Sequence, residues 1–141
     1  MEQFAEFVTN HIILAGAFVA LSTLLVIDLF GAQLKGYPAV GPGEATQLIN
    51  REDALVLDIR EANEFHSGHI VNALHIPLGN LKDRHADLEK YKSKPIIAVC
   101  RSGSRSGSAC SQLKKAGFEN IYNLKGGMMA WQHASLPIDK G

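Results

Sequence analysis

The chain has 141 residues, room for one compact domain and little else. Apolar residues make up 46% and charged residues 20%, the composition of an ordinary globular protein with no low-complexity tract. Fourteen basic and fourteen acidic side chains cancel, so no overall field draws the protein to nucleic acid, which is set aside as a partner. Two cysteines, Cys100 and Cys110, are too few for a disulfide-stapled secreted scaffold and show no metal-type spacing.

From Phe7 to Ile27 the chain reads FVTNHIILAGAFVALSTLLVI, 21 residues without a formal charge. As a helix this run would span roughly 30 Å, the thickness of a bilayer core. Its apolar residues occupy all sides of the wheel, unlike those of an amphipathic surface helix. Asp28 marks the expected interface, and Leu29, Phe30 and Ala32 extend the apolar character, so residues 7–32 are the expected membrane segment. Glu2 and Glu6 precede the run where a cleaved signal peptide would carry Lys or Arg, and FGAQ makes a poor cleavage site. Lys35 and Arg51 follow the span, and the positive-inside bias then places the rest of the chain in the cytoplasm.

Residues 33–43, QLKGYPAVGPG, are rich in Gly and Pro and read as a connector. The expected boundaries are an anchor over 1–35, a linker over 36–43 and a globular domain over 44–141. EATQLINRE has apolar residues at helical spacing, and ALVLDI (54–59) reads as a buried strand. EANEF predicts a helical turn, ALHIP (73–77) a short strand, and LKDRHADLEKY an exposed amphipathic helix with Leu81 and Leu88 one heptad apart. PIIAVC (95–100) is a second buried strand, and SGSACSQLKKAG (106–117) a helix with Ala109, Cys110, Leu113 and Ala116 on one stripe. NIYNL (120–124) is a third strand, and Gly126 and Gly127 open a last short helix. Strands alternating with helices predict an α/β fold with a mostly parallel sheet flanked by helices. Cys100 falls at a strand's carboxyl end, where such sheets bind ligands, whereas Cys110 falls on an apolar stripe and reads as core.

The stretch CRSGSRS (100–106) joins a buried strand directly to a helix. Curled into a nest, its backbone N–H groups would point at the Cys100 sulfur, and the helix N-terminus would add partial positive charge. Arg101 and Arg105 add two full charges, so three effects favour the nucleophilic thiolate. Gly103 permits the tight turn, while Ser102, Ser104 and Ser106 keep the pocket small, polar and open to an anion.

CRSGSRS resembles the active-site loop of the rhodanese family. DIREANEFHSGHIVNALHIPL (58–78) is similar to that family's upstream signature, and LKGGMMAWQHASLPI (124–138) to its C-terminal one. The three blocks occur in order across most of residues 44–138. One departure is visible, Val71–Asn72 standing where the family usually has Pro-Gly. The whole arrangement resembles bacterial single-domain rhodaneses with one membrane anchor, which implies a single-pass protein of the inner membrane.

The resemblance implies a sulfurtransferase that takes a sulfane sulfur from thiosulfate or another persulfide donor onto Cys100 and gives it to a thiophilic acceptor. Cys100 would be catalytic; Arg101, Ser102, Gly103, Ser104, Arg105 and Ser106 would bind substrate. The expected partners are a small-molecule or protein sulfur donor and a thiol acceptor; no metal or other cofactor is expected. Two alternatives stand beside this. A Cys-dependent phosphatase usually has five residues between Cys and Arg, but Cys100 and Arg105 have four. A non-catalytic membrane-tethered scaffold commonly lacks the Cys. Six histidines invite a metal site, but no ligand set completes one around His66, His69 and His75, and His69 is expected to make a structural hydrogen bond. Asp58, Arg60 and Glu64 are expected to form one polar network beside the Cys loop.

Overall fold

A computed structural model describes the backbone of residues 1–141 and the side chains of all but residues 32–34. Ala32, expected to extend the apolar run, thus has its side chain outside the described residues. The chain divides into two units, Met1–Leu34 and Lys35–Gly141.

The first unit is two helices, α1 (Glu2–Asn10) and α2 (Ile12–Leu34). The single helix expected from Phe7 is broken at His11, whose φ of −127° and ψ of 46° leave the helical region. Just before the break, the Thr9 hydroxyl lies 3.1 and 3.0 Å from the carbonyl oxygens of Ala5 and Glu6. The stretch long and apolar enough to cross a membrane is therefore Ile12–Gly31, with Asp28 inside it rather than at its end. Its apolar side chains stand exposed, Ile13 and Phe18 among them.

The second unit contains β1 (Ala39–Val40), α3 (Pro42–Glu52), β2 (Leu55–Asp58), α4 (Ala62–Ser67), β3 (His69–Ile70) and β4 (Leu74–His75). It continues through α5 (Leu78–Leu81), α6 (His85–Leu88), β5 (Ile96–Val99), α7 (Ser104–Lys115), β6 (Ile121–Leu124), α8 (Gly127–His133) and β7 (Ile138–Asp139). Five strands form one parallel sheet in the order β1-β6-β5-β2-β4, and β3 pairs antiparallel with β7. This is the expected α/β architecture. The stretch read as a connector is built into it instead. Ala39 and Val40 pair with Asn123 and Leu124, and Pro42 occupies the first turn of α3 after Gly41. A two-residue strand is too short to show a period, and a Pro that opens a helix reads in isolation as a breaker.

Side-chain alternation along β5 divides the core. Ile96, Ala98 and Cys100 face a cluster with Leu57, Ala109, Cys110 and Leu113, which puts them under α7. Ile97 and Val99 face the opposite cluster with Ala45, Met128 and Trp131, under α3 and α8. Covered on both faces, β5 is apolar throughout, as a central parallel strand must be. Each fully buried Leu or Ile contributes about 1.5–3 kcal/mol. Leu81 and Leu88 are both completely buried, but the helix expected to carry them is broken into α5, a 3-10 turn over Lys82–Arg84, α6 and a second 3-10 turn. Arg84, with φ −116° and ψ 19°, interrupts the ladder while the chain wraps the core.

Candidate active site

β5 ends at Val99, so Cys100 is the first residue beyond the sheet. Gly103 has φ 101° and caps α7, which begins at Ser104, two residues earlier than the sequence suggests. That left-handed turn folds the loop back over the sulfur. The Gly103 N–H donates to Cys100 Sγ at 3.0 Å, and the Ser106 hydroxyl lies 3.3 Å from it. Cys100 is 1% exposed and Ser106 fully buried. The side chain thus leaves the apolar core at its sulfur, which meets polar groups instead of hydrocarbon.

Burial pushes the Cys100 thiol up, but hydrogen bonding by the Ser106 hydroxyl and by the amides of Ser106, Ser102 and Gly103 outweighs it and holds the pKa below the ordinary thiol value. Cys110 has the reverse balance. It is fully buried and pushed up to about 12 by burial and by the neighbouring Cys100 charge, with only the Tyr122 carbonyl 3.5 Å away as partner. It is a core residue.

The other loop residues separate in role. Arg101, Ser102 and Ser104 are exposed at the rim. Arg105 turns aside, donating from Nη1 and Nη2 to the two carboxylate oxygens of Glu64, each at 2.8 Å. The Arg105 guanidinium lowers Glu64 to about 2. The expected network of Asp58, Arg60 and Glu64 is therefore two networks. Asp58 and Arg60 form a buried ion pair at 2.7 Å, and Arg60 also donates to the Gly68 carbonyl. Glu64 belongs to the Cys loop. His69 makes its expected hydrogen bond, from Nδ1 to the Phe65 carbonyl at 2.9 Å, and His75 donates from Nε2 to the Arg60 carbonyl at 2.7 Å. Phe65 stacks between those two rings.

Two supports of the loop come from residues distant from it in sequence. Asn123 of β6 donates from Nδ2 to the Gly103 carbonyl at 3.0 Å and accepts from the Ser106 hydroxyl. At the start of α8, the amides of Met128 and Met129 donate to the carbonyls of Cys100 and Arg101, at 2.8 and 3.1 Å. The Gly-Gly pair was the available signal for the second; nothing local marks Asn123.

A family profile described as Rhodanese-like domain matches residues 41–134. The uncharacterized protein YibN of Escherichia coli (strain K12) is 35% identical over 142 residues, covering 100% of this chain and 99% of that protein. The thiosulfate sulfurtransferase GlpE of Pseudoalteromonas translucida is 37% identical over 91 residues, which is 64% of this chain and 85% of the relative. Among solved structures, a rhodanese-related protein from Thermoplasma volcanium superposes with a TM-score of 0.68 at 28% identity, covering 74% of this chain and all of its own. A cysteine cradled between a parallel strand and a helix, in a domain with these likenesses, identifies the chain as a member of the rhodanese family, a family of sulfurtransferases.

Proposed function

We propose that the protein is a membrane-tethered sulfurtransferase that carries sulfane sulfur as a persulfide on Cys100. The observation that supports this reading above others is the placement of Cys100 Sγ against the Gly103 amide and the Ser106 hydroxyl. The Cys100 thiolate attacks the outer sulfur of thiosulfate or a persulfide donor. The donor's S–S bond breaks, sulfite or a thiolate departs with the electron pair, and Cys100 holds the transferred sulfur. A thiophile such as cyanide or a cellular thiolate then attacks that outer sulfur and returns Cys100 as the thiolate. Neither step requires a general base, which suits a loop without histidine. The loop amides stabilise the persulfide anion, and Arg101, Ser102 and Ser104 form the rim that meets the donor.

A phosphatase would use the loop arginine to clamp a phosphoryl group. Arg105 is instead engaged by Glu64, which favours the sulfur reading. The membrane tether rests on Ile12–Gly31, and Lys35 and Arg51 favour a cytoplasmic catalytic domain at the inner membrane. A membrane site also suits a donor or acceptor that is itself a protein.

The test is incubation of the purified full chain with thiosulfate, followed by intact-mass measurement. Wild type and Cys110→Ser should each gain one sulfur atom, and Cys100→Ser none. Absence of sulfur on wild type, with either thiosulfate or a persulfide donor, would overturn the reading in favour of a non-catalytic scaffold.

A further inference from the structure

Asn123 pairs in register with Ala98 of β5 on one side and with Ala39 of β1 on the other. Its side chain meets the first turn of α7, where Nδ2 donates to the Gly103 carbonyl and Oδ1 accepts the Ser106 hydroxyl hydrogen. Reversing the amide would set two acceptor oxygens, Asn123 Oδ1 and Gly103 O, against each other, so its orientation is fixed. A hydroxyl has one hydrogen. With that hydrogen held by Asn123, the buried Ser106 oxygen presents only lone pairs to Cys100 Sγ, 3.3 Å away. A neutral thiol suits this arrangement, because its S–H can donate to Ser106. A thiolate or persulfide anion does not, because lone pairs then face negative charge.

We propose that Asn123 is a positioning residue acting through Ser106: it competes with the Cys100 sulfur for a single hydroxyl hydrogen, and so sets how readily the sulfur passes from its protonated to its charged form. The proposal rests on the sulfur-transfer reading for its biological meaning. In the protonated form the hydrogen lies toward Asn123. When the sulfur is charged, the hydroxyl rotates and donates to it, and Oδ1 gives up its donor. The amide itself stays in place, held by the Gly103 carbonyl. The titratable and charged groups facing the sulfur are Arg105 and Cys110 of α7, with Glu64 of α4 behind Arg105; Arg101 follows Cys100 in the loop with its side chain exposed. None of them is altered in the test below.

The test is the pH profile of Cys100 alkylation by iodoacetamide on the full chain in detergent, read by mass on the peptide that carries Cys100. Four proteins are compared: wild type, Asn123→Leu, Ser106→Ala and the double variant. Leucine is close to asparagine in size and neither donates nor accepts. The step from Ser106→Ala to the double variant isolates what Asn123 does through Gly103. The step from wild type to Asn123→Leu also includes what it does through the hydroxyl. Removing Asn123 with Ser106 present should place the alkylation midpoint about one pH unit lower, relative to the change without Ser106, the worth of one hydrogen bond to a charged sulfur. A merely structural role moves both steps equally, and equal or reversed steps would overturn the proposal. Asn123→Ala gives the same comparison if the leucine variant does not fold. Failure of wild type to load sulfur would overturn the proposed activity and leave this result standing, so the two outcomes are distinguishable.

Discussion

Arg105 forks onto Glu64, two residues 41 positions apart that meet with both terminal guanidinium nitrogens 2.8 Å from carboxylate oxygens. Sheet topology brings them together. The chain moves outward from β2 to β4 on one side and from β5 to β6 on the other, so the segments after β2 and β5 face each other across the carboxyl edge. A crevice opens at such a reversal. Here α4 supplies Glu64 to one wall and the Cys100 loop forms the other. The carboxylate both ties α7 to α4 and offsets the charge of Arg105. Among the described residues, Arg101 has no side-chain hydrogen bond or ion pair, which leaves it the loop's available cation.

This division of labour predicts unequal effects of the two arginines on an anionic donor. Arg101→Ala should raise KM for thiosulfate roughly fivefold, the effect of about 1 kcal/mol at an exposed site, with kcat little changed. Added salt should shrink the difference. Arg105→Ala should change KM less than Arg101→Ala and show its effect in kcat, because it holds the loop in place. Steady-state kinetics at two ionic strengths checks the ranking, and a larger KM effect at Arg105 would contradict it.

The same pair makes stability depend on pH. Arg105 lowers Glu64 from the ordinary 4.5 to about 2 in the folded chain, so the unfolded chain takes up this proton first. The stabilisation is therefore complete above the ordinary carboxylate value and fades as pH falls from there towards 2. With the Arg105 side chain 39% and Glu64 28% exposed, solvent screening reduces it to on the order of 1 kcal/mol. Wild type should melt a few degrees above Glu64→Gln at pH 7, and the gap should shrink below the ordinary carboxylate value and close only as pH falls to about 2. Thermal unfolding across that range decides the matter, because a gap independent of pH would mean the carboxylate contributes nothing as an ion.

The central strands were legible because burial on both faces leaves an uninterrupted apolar run, as in Ile96–Val99. The helix after the Cys loop was legible from its stripe, and the loop itself from a cysteine placed between the two. What periodicity cannot supply is partnership. It assigns a residue to a face and says nothing about which strand lies alongside. Nearness in sequence groups Glu64 with Asp58 and Arg60, whereas its partner is set by strand order. Asn123 reads as one polar residue in a strand, and its role emerges only when β6 is laid beside β5. Two-residue strands carry too few positions to show alternation, and of β1, β3, β4 and β7 only β4 falls in a stretch that reads as a strand. Leu81 and Leu88 are both buried, but their heptad spacing could not reveal that the helix between them is broken.

Two glycines of similar appearance in the sequence should respond oppositely to alanine. Gly127 has φ 54°, and a Cβ there would fall within the van der Waals shell of the Cys100 carbonyl oxygen and 2.6 Å from the Arg101 carbonyl carbon. These are backbone atoms, and they are the same carbonyl groups that accept the Met128 and Met129 amides, so the clash cannot be relieved without lifting α8 off the loop. Gly127→Ala should cost at least about 2 kcal/mol and slow sulfur loading of Cys100, since the loop loses its support from beneath. Gly43 lies in the first turn of α3 with nothing within 4 Å of its would-be Cβ. Gly43→Ala should stabilise the domain by about 0.5–1 kcal/mol, through a less flexible unfolded chain and better helix propensity, and leave sulfur loading unchanged. Melting temperatures and thiosulfate-dependent mass gain of the two variants check both signs. Loading of Gly127→Ala at the wild-type rate would show that α8 does not hold the Cys100 loop in its reactive shape.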